Sequence, residues 1–139
     1  LSHEKQSTKI GSKLGRIPES IRFHLETDMV IDITTTGRRT GLPRRIEIWA
    51  HYMRGRIFIA SRPGKRSWHS NMIFNKKFMI HFKGTLPTTL PATARPVFDK
   101  SEREEIFGII SQETSFEERK NMVVTEWVEM GCLVEVTLK

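Results

Sequence analysis

Hydrophobic positions along this chain recur mostly at every second residue, in short runs bounded by glycine, proline and charged residues. That spacing is typical of half-buried β-strands. It predicts six strands, over residues 29–36, 45–53, 56–61, 78–83, 92–98 and 132–138. The stretch rich in proline and threonine at 85–91 is predicted as a loop, and residues 37–43 and 54–55 as turns.

Other segments carry apolar residues at helical spacing. Helices are predicted from Pro18, from an N-cap at Ser67 to residue 75, over 101–111 behind a cap at Asp99, and over 116–128. Six short strands with few long helices favour a small β-barrel with helical additions. Residues 1–17 are polar and lack periodicity, so they are predicted to form a mobile arm, with residues 18–139 as a single domain.

The composition fits one soluble domain. The chain has 139 residues, of which 37% are hydrophobic and 28% charged, enough to bury a core without metal or disulfides. A single cysteine, Cys132, excludes an internal disulfide and a multi-cysteine zinc site, and the five histidines lack metal-ligand spacing. No apolar run approaches the ~18 residues of a membrane span. We therefore expect a cytoplasmic protein without a bound metal.

The net charge of +7 is unevenly distributed. Residues 34–69 contain nine basic side chains and one acidic side chain, Glu47, and residues 70–98 contain four basic and no acidic ones. Residues 99–139 reverse the balance, with five basic and ten acidic side chains. Positive charge concentrated in the middle of a chain favours an anionic partner, either a polyanion or a phosphorylated small molecule.

Most sequence signatures of catalysis are absent. The chain lacks the serine-hydrolase, zinc-protease and dinucleotide-binding patterns, and the Gly64-Lys65 pair has Ile59 where a P-loop needs its first glycine. The basic region also lacks a pair of carboxylates for glycosidase-type acid and base chemistry. Hydrolytic functions are therefore not supported.

Two basic turns remain as candidate binding elements. The first, residues 37–45, combines two glycines with four arginines, whose forked donors match phosphate or carboxylate oxygens. The second, residues 61–68, carries three cations and leads into a predicted helix N-terminus. Helix N-termini attract anions through their free N–H groups and dipole. Together the turns predict an anion-binding site. Arg103, in the acidic C-terminal helix, is expected to take no part in it.

The segment ITTTGRRTGLPRRIEIW at residues 33–49 resembles the opening of the deazaflavin-dependent nitroreductase family. That family is similar to the flavin-binding split β-barrels typified by pyridoxamine 5'-phosphate oxidase. The resemblance continues through residues 55–68, Asn71 and the strands at 78–83, 91–96 and 133–136, so it covers 18–139 in order. It implies a mainly β fold with α additions, a six-stranded split β-barrel of the FMN-binding, pyridoxamine 5'-phosphate oxidase-like type.

The resemblance also implies a cofactor and the residues that bind it. Members hold coenzyme F-420, a deazaflavin with a phosphate and a polyglutamate tail, or in related proteins FMN. The turn that meets the tail corresponds to Arg39, Thr40, Gly41 and Arg44. The turn that cradles the phosphate and ring corresponds to Ala60, Ser61, Arg62, Gly64, Lys65 and Arg66, and the following helix to Trp68 and Asn71. We expect F-420 to bind more tightly than FMN, because two cationic turns offer more charge than one phosphate requires.

The implied activity is that of an oxidoreductase of the nitroreductase or quinone reductase kind. It would pass a hydride from the cofactor to a small organic electron acceptor of nitro, quinone or enone type. The cofactor supplies the reactive centre, so no catalytic residue is assigned, although His51 and Tyr52 are candidates for proton delivery. Family acceptor pockets often use tyrosines near the C-terminus, where this chain offers Met122, Trp127 and Met130.

Two other functions stay open. One is an FMN-binding split barrel of the flavin reductase type. The other, less favoured, is a basic nucleic-acid-binding barrel, in which Arg56 and Ser61 stand where stacking aromatics belong. The resemblance also implies a homodimer, since split barrels of this type commonly place the cofactor between subunits. A second ground is that four residues give more apolar strand surface than one small barrel buries: Ile46, Ile48, Trp49 and Phe58.

Overall fold

The computed structural model describes residues 19–27, 30–84 and 87–138. The predicted mobile arm at 1–17, and Pro18, lie outside these residues. The described strands are β1 Val30–Thr36, β2 Pro43–Met53, β3 Arg56–Ser61, β4 Lys77–Phe82, β5 Thr88–Pro96 and β6 Cys132–Leu138. The described helices are α1 Glu19–Thr27, α2 Ser67–Phe74, α3 Lys100–Glu113, α4 Glu117–Lys120 and α5 Val124–Met130.

The six strands form a closed antiparallel barrel in the order β1-β2-β3-β6-β5-β4. The predicted mainly β, six-stranded barrel is therefore confirmed. Strands β2 and β3 are joined at Arg54 and Gly55, which have φ angles of 54° and 75°. Positive φ at both residues of a two-residue turn matches the twist of the flanking strands, so this turn fixes the hairpin register.

Two hydrophobic cores result from the alternation of side chains along the strands. One fills the barrel, where residues such as Ile33, Ile59 and Ile80 are fully buried. The other lies outside the barrel, where α3 and α5 cover the residues of β3 and β6 that point outward, such as Phe58 and Leu133. The outer surface of the barrel at β3 and β6 is therefore buried under helices.

This second core removes one ground for the expected homodimer, the surplus of apolar strand surface. Ile48 and Phe58 are buried within the chain, and the indole of Trp49 stacks on Phe116 at a centroid distance of 3.9 Å. Of the four apolar strand residues, only Ile46 is exposed. The helices that follow β5 cover the surface that the strand pattern alone leaves open. The homodimer remains a prediction without that support.

Several predicted boundaries are wrong, among them the start of β2, at Pro43 instead of residue 45, and the end of β5, at Pro96 instead of residue 98. Strand β5 begins at Thr88, within the predicted loop, and tolerates Pro91 because this half of the strand pairs with β4 alone. Helix α2 has Arg66 at its N-cap, with no side-chain cap bond, and Ser67 is its first helical residue. The predicted helical segment at 116–128 consists of α4 and α5, separated by a short break. The cap at Asp99 is confirmed, because its carboxylate accepts a hydrogen bond from the Glu102 amide.

None of the helices in the described part of the chain is long and apolar enough to cross a lipid bilayer.

Candidate functional site

The first basic turn is held in a closed loop by its own backbone. The amide of Gly37 donates to the Leu42 carbonyl, and that of Gly41 to the Gly37 carbonyl, both at 2.8 Å. Gly41 has a φ of 71°, which favours glycine. At Gly37 a Cβ atom would lie 2.7 Å from the Thr40 hydroxyl oxygen. The two glycines therefore allow the turn to close tightly while its arginines project from it.

Asn71 ties this turn to helix α2. Its side chain is buried, and its Oδ1 accepts hydrogen bonds from the backbone amide and the guanidinium of Arg38, at 3.1 and 3.3 Å. Its Nδ2 donates to the Thr35 hydroxyl at 3.1 Å. Predicted as a cofactor residue, Asn71 thus has both amide atoms engaged by the protein. It fixes the position of the turn relative to the helix.

A cavity of about 480 Å³ lies between the first turn and α2. We call it the tail cavity; it is lined by Thr35, Gly37, Arg38, Arg39, Thr40, Arg44, Ile46, Ser67, Trp68 and Asn71. No carboxylate of the described residues is among them. Arg39 and Arg44 are exposed, and no described carboxylate lies within ion-pair distance of either. Their charge is therefore available to an anionic ligand.

The second basic turn is anchored to the junction between α5 and β6. Ser61 pairs with Cys132 in the sheet, and the Gly64 amide donates to the Met130 carbonyl at 3.1 Å. The Cys132 thiol donates to the Gly64 carbonyl at 3.3 Å. Burial raises the pKa of that thiol, which therefore stays protonated at neutral pH. The turn is a fixed part of the barrel end.

A second cavity, of about 640 Å³, lies beside this turn. We call it the ring cavity; it is lined by Gly64, Lys65, Arg66, His69, Ser70, Phe98, Lys100, Arg103, Val128, Glu129, Met130, Gly131 and Cys132. Phe98 and Met130 are 65% and 61% exposed and form apolar surface at the site. The ring cavity therefore combines three flexible cations, those of Lys65, Arg66 and Lys100, with one carboxylate, that of Glu129, and with apolar walls.

The first turn of α2 separates the two cavities. Ser67 and Trp68 line the tail cavity, whereas Arg66, His69 and Ser70 line the ring cavity. The helix has neither an acidic residue in its first turn nor a side-chain cap, so its first N–H groups lack those partners. Such a helix start, with cations on both sides, favours the binding of an anion between the two cavities.

The structure brings together most of the predicted site residues, but not all. Arg39, Thr40, Arg44, Trp68 and Asn71 line the tail cavity, and Gly64, Lys65 and Arg66 line the ring cavity. Gly41 lines a third cavity, of about 520 Å³, on the other side of the first turn. Ser61, Ala60 and Arg62 line none of the three.

Ala60 and Arg62 differ from the prediction for separate reasons. Ala60 has no exposed surface and packs in the core under the helices, so its side chain is out of reach of a ligand. The Arg62 guanidinium is exposed and lies 3.3 Å from a carboxylate oxygen of Glu118. The Arg66 guanidinium lies 3.4 Å from two carbonyl oxygens of its own turn, yet still lines the ring cavity.

Neither candidate for proton delivery lies in these cavities. The His51 ring is buried and its Nε2 is 2.8 Å from a guanidinium nitrogen of Arg119. Burial, with a smaller contribution from Arg119, lowers the pKa of His51 to about 3. Tyr52 packs against the barrel core. His51 therefore stays neutral and sealed from ligand, which contradicts its proposed role.

Sequence reasoning missed several lining residues. Arg38 was part of the first turn but was not singled out, and Lys100 and Phe98 reach the ring cavity from the link between β5 and α3. Of the three C-terminal residues offered for an acceptor pocket, only Met130 lines a cavity, while Trp127 and Met122 pack in the outer core. The sequence carried one signal for these residues, because Phe98 is an aromatic residue at the end of the predicted strand 92–98.

Arg103 also differs from the expectation. Its guanidinium is buried and donates to four carbonyl oxygens, those of Val97, Trp127, Val128 and Gly131, at 2.6–3.1 Å. It thereby closes the C-terminal end of α5 and forms the floor of the ring cavity. The side chain is a structural anchor and not a neutral surface position.

The described residues contain no group of three or more histidine, cysteine or acidic side chains placed to hold a metal ion.

Comparisons with known proteins give the family and the fold. A family model described as F420H(2)-dependent quinone reductase matches residues 7–128. No curated protein matches.

Solved structures of low sequence identity share the fold. A conserved hypothetical protein from Mycobacterium tuberculosis is similar with a TM-score of 0.67 and 15% identity, covering 88% of this chain and 81% of that one. A Clostridium acetobutylicum protein related to general stress protein 26, of the pyridoxinephosphate oxidase family, has a TM-score of 0.64, 12% identity and coverages of 92% and 84%. A NimC/NimA family protein from the same organism has a TM-score of 0.62, 15% identity and coverages of 96% and 85%.

Proposed function

This chain belongs to the F420H(2)-dependent quinone reductase family, and we propose from that premise that it reduces a quinone with hydride from coenzyme F-420. It is accordingly an oxidoreductase whose cofactor is F-420. The acceptor and the residues that hold the cofactor are the proposed part. The observation that carries the proposal is the pair of cationic cavities on either side of the α2 N-terminus.

The tail cavity suits the polyanionic end of the cofactor. A phosphate and several carboxylates need cations that are not already paired, and Arg39 and Arg44 meet that condition among the described residues. We assign the polyglutamate tail to these two side chains and to Arg38, which Asn71 holds in place. Charge-assisted hydrogen bonds of this kind are stronger than neutral ones, and one arginine can donate two of them in parallel to a single carboxylate or phosphate.

The phosphate is assigned to the start of α2. Its first N–H groups point along the helix axis away from the carbonyls, and Lys65 and Arg66 stand beside them. Gly64, with a φ of 123°, lets the turn approach the helix start closely. Three predicted cofactor residues line neither the tail cavity nor the ring cavity: Gly41, Ser61 and Arg62. They remain predictions, in which each residue helps by setting the backbone conformation of its turn.

The ring cavity suits the deazaflavin ring and the acceptor. The bound cofactor supplies the hydride, and the protein supplies position and electrostatics. Phe98, Met130 and Val128 give apolar walls that exclude water from the reacting atoms. Lys65 and Lys100 stabilise negative charge on the acceptor oxygen as it forms.

F-420 is favoured over FMN by the amount of charge. The two cavities present six basic side chains besides the internally bonded Arg103, namely Arg38, Arg39, Arg44, Lys65, Arg66 and Lys100. FMN carries one phosphate and leaves most of these cations without a partner. The same surplus of positive charge disfavours the alternative of a flavin reductase that uses FMN alone.

The experiment is a pair of titrations of the purified protein, with F-420 and with FMN, at matched low and physiological salt. The proposal expects tighter binding of F-420, and a weakening at higher salt because part of the site is exposed. Turnover of 1,4-naphthoquinone with reduced F-420 then tests the acceptor. Tighter binding of FMN, or F-420 binding without turnover of any quinone, would contradict the proposal.

A further inference from the structure

His69 is a polar group of the ring cavity that the proposed function does not use. Its imidazole lines that cavity, with the Trp68 ring at a centroid distance of 5.5 Å and the Phe98 ring at 6.3 Å. Its Nε2 is buried and has no hydrogen-bond partner among the described residues. A buried nitrogen without a partner costs about 1–3 kcal/mol, so such groups in native proteins call for a partner.

The chemistry of His69 limits what that partner can be. Burial and the charge of Arg103 lower the pKa of this imidazole, so it is neutral at pH 7. A neutral imidazole has one N–H donor and one acceptor nitrogen. Three cations line the same cavity, those of Lys65, Arg66 and Lys100. They would stabilise negative charge on a ligand atom that accepts a hydrogen bond from the His69 imidazole. The fitting partner is therefore an oxygen acceptor that gains negative charge.

The walls of the cavity define the rest of the ligand. Phe98 and Met130 present an aromatic ring and a thioether, and both pack well against flat aromatic molecules. Nε2 is buried, so a ligand reaches it when a neighbouring side chain shifts, and the exposed Phe98 ring, 6.3 Å from the imidazole, is the candidate for that shift. A planar ring that carries a carbonyl oxygen satisfies both the walls and the imidazole.

We propose that His69 determines the specificity of this site by donating a hydrogen bond from Nε2 to a carbonyl oxygen of a planar quinoid acceptor in the ring cavity. The inference rests on the proposed function and deepens it. In the reaction the quinone gains a hydride and one proton and becomes a hydroquinone. The reduced coenzyme loses the same hydride and one proton. The His69 hydrogen bond stabilises the oxygen that takes up the electron pair, and solvent supplies its proton.

His69→Phe is the main test, because it keeps an aromatic ring and removes the donor. With reduced F-420, His69→Phe is expected to raise the KM for 1,4-naphthoquinone and to lower kcat, because the bond holds the quinone and also stabilises the charge that forms on its oxygen. The combined effect is a fall in kcat/KM of about tenfold, the value of one hydrogen bond. The affinity for oxidised F-420, measured by its fluorescence, is expected to stay within about twofold. His69→Gln, whose amide can donate from a similar position, is expected to recover part of the loss.

A second readout needs no turnover. Equilibrium dialysis compares 1,4-naphthoquinone with naphthalene, which has the same flat shape and no carbonyl, on protein saturated with oxidised F-420 and on protein without it. The parent is expected to prefer the quinone by about tenfold, and His69→Phe to bind both alike. Arg54→Ala, which changes an exposed guanidinium paired with Glu113, is the surface control and is expected to match the parent.

Unchanged kcat/KM and unchanged preference in His69→Phe would overturn the inference. So would weaker F-420 binding with unaltered quinone binding, which would assign His69 to the cofactor. If His69→Phe does not fold, parent-like quinone preference in a folded His69→Ala variant would overturn it equally. A parent protein that does not bind F-420 would refute the proposed function instead, and the dialysis without cofactor would still decide the role of His69.

Discussion

Arginines serve opposite purposes at the first basic turn and beneath the C-terminal helices. Arg39 and Arg44 project into the tail cavity, where no described carboxylate pairs with them. Arg103 and Arg119 are buried, and their guanidinium groups bond to carbonyl oxygens and to the His51 ring. The first pair leaves charge free for a ligand, whereas the second pair satisfies internal polar groups.

The difference shows that neither net charge nor neighbouring charge identifies a functional arginine. Arg103 lies in an acidic helix, where a solvated ion pair is the ordinary expectation, and yet it is bound by four carbonyls. Arg39 lies in a basic turn, where repulsion would be expected to weaken the fold. Geometry separates the two, because a buried donor must be satisfied and an exposed one need not be.

Arg103→Ala gives the largest expected loss of stability. It removes the guanidinium donor from four buried carbonyl oxygens, of which that of Trp127 keeps the Gly131 amide, and it opens a cavity beside Trp127. The free energy of unfolding should therefore fall by about 3 kcal/mol. Urea unfolding measures this. Arg54→Ala removes an exposed guanidinium and is the matched control, with a change within about 0.5 kcal/mol. Equal stability of the two variants would contradict the assigned anchor.

Acidification gives the next largest effect, through His51. Its pKa is about 3 in the fold, against 6.5 when exposed, because burial opposes the charged form. Between these values the unfolded chain binds the proton and the folded chain does not. Stability is therefore lost as the pH falls below about 6.5, with a slope approaching about 1.4 kcal/mol per pH unit.

His51→Gln isolates that contribution, since a glutamine can still accept from Arg119 but does not titrate. Urea unfolding of both proteins at pH 7.5 and 5.5 is the measurement. The parent should lose about 1 kcal/mol more than the variant between the two pH values. Identical losses would mean that His51 takes up its proton in the folded protein.

Asn71→Ala should lower stability by less than Arg103→Ala does, and should also weaken binding. The substitution removes the bonds to Arg38 and Thr35, and the expected loss of unfolding free energy is about 1–2 kcal/mol. F-420 affinity should fall as well, because the turn is no longer fixed to α2. Calorimetry measures the loss of stability, and fluorescence titration measures F-420 affinity. A loss of stability without any loss of affinity would show that the first basic turn does not take part in F-420 binding.

The barrel itself could be predicted from sequence because most strands carry a local apolar pattern. The apolar positions of β1 alternate and specify one buried face, and the glycine turn at Arg54 and Gly55 specifies the hairpin. Strand β5 was predicted too short, because Pro91 is a strand breaker unless one edge of the strand is unpaired there. That condition depends on the partner strands and is invisible in the local pattern.

The candidate site could be predicted only in part, for a related reason. The two basic turns were recognisable because glycines and cations stand next to one another in the chain. His51 and Arg119 are 68 residues apart, and Arg103 bonds to carbonyls up to 28 residues away, so no local pattern relates them. The sequence therefore indicated which segments are candidates for binding, and the fold was needed to show which arginines already have partners within the protein.

If the arginines of the tail cavity that lack a carboxylate partner bind the anionic end of F-420, losing one of them must weaken binding. Fluorescence titration of F-420 against Arg39→Ala, with Arg54→Ala as the control, measures that loss. Arg39→Ala is expected to weaken binding by about 1.5–3 kcal/mol, the value of a charge-assisted hydrogen bond, with almost no change in thermal stability. Equal F-420 affinity in the parent, Arg39→Ala and Arg54→Ala would contradict it.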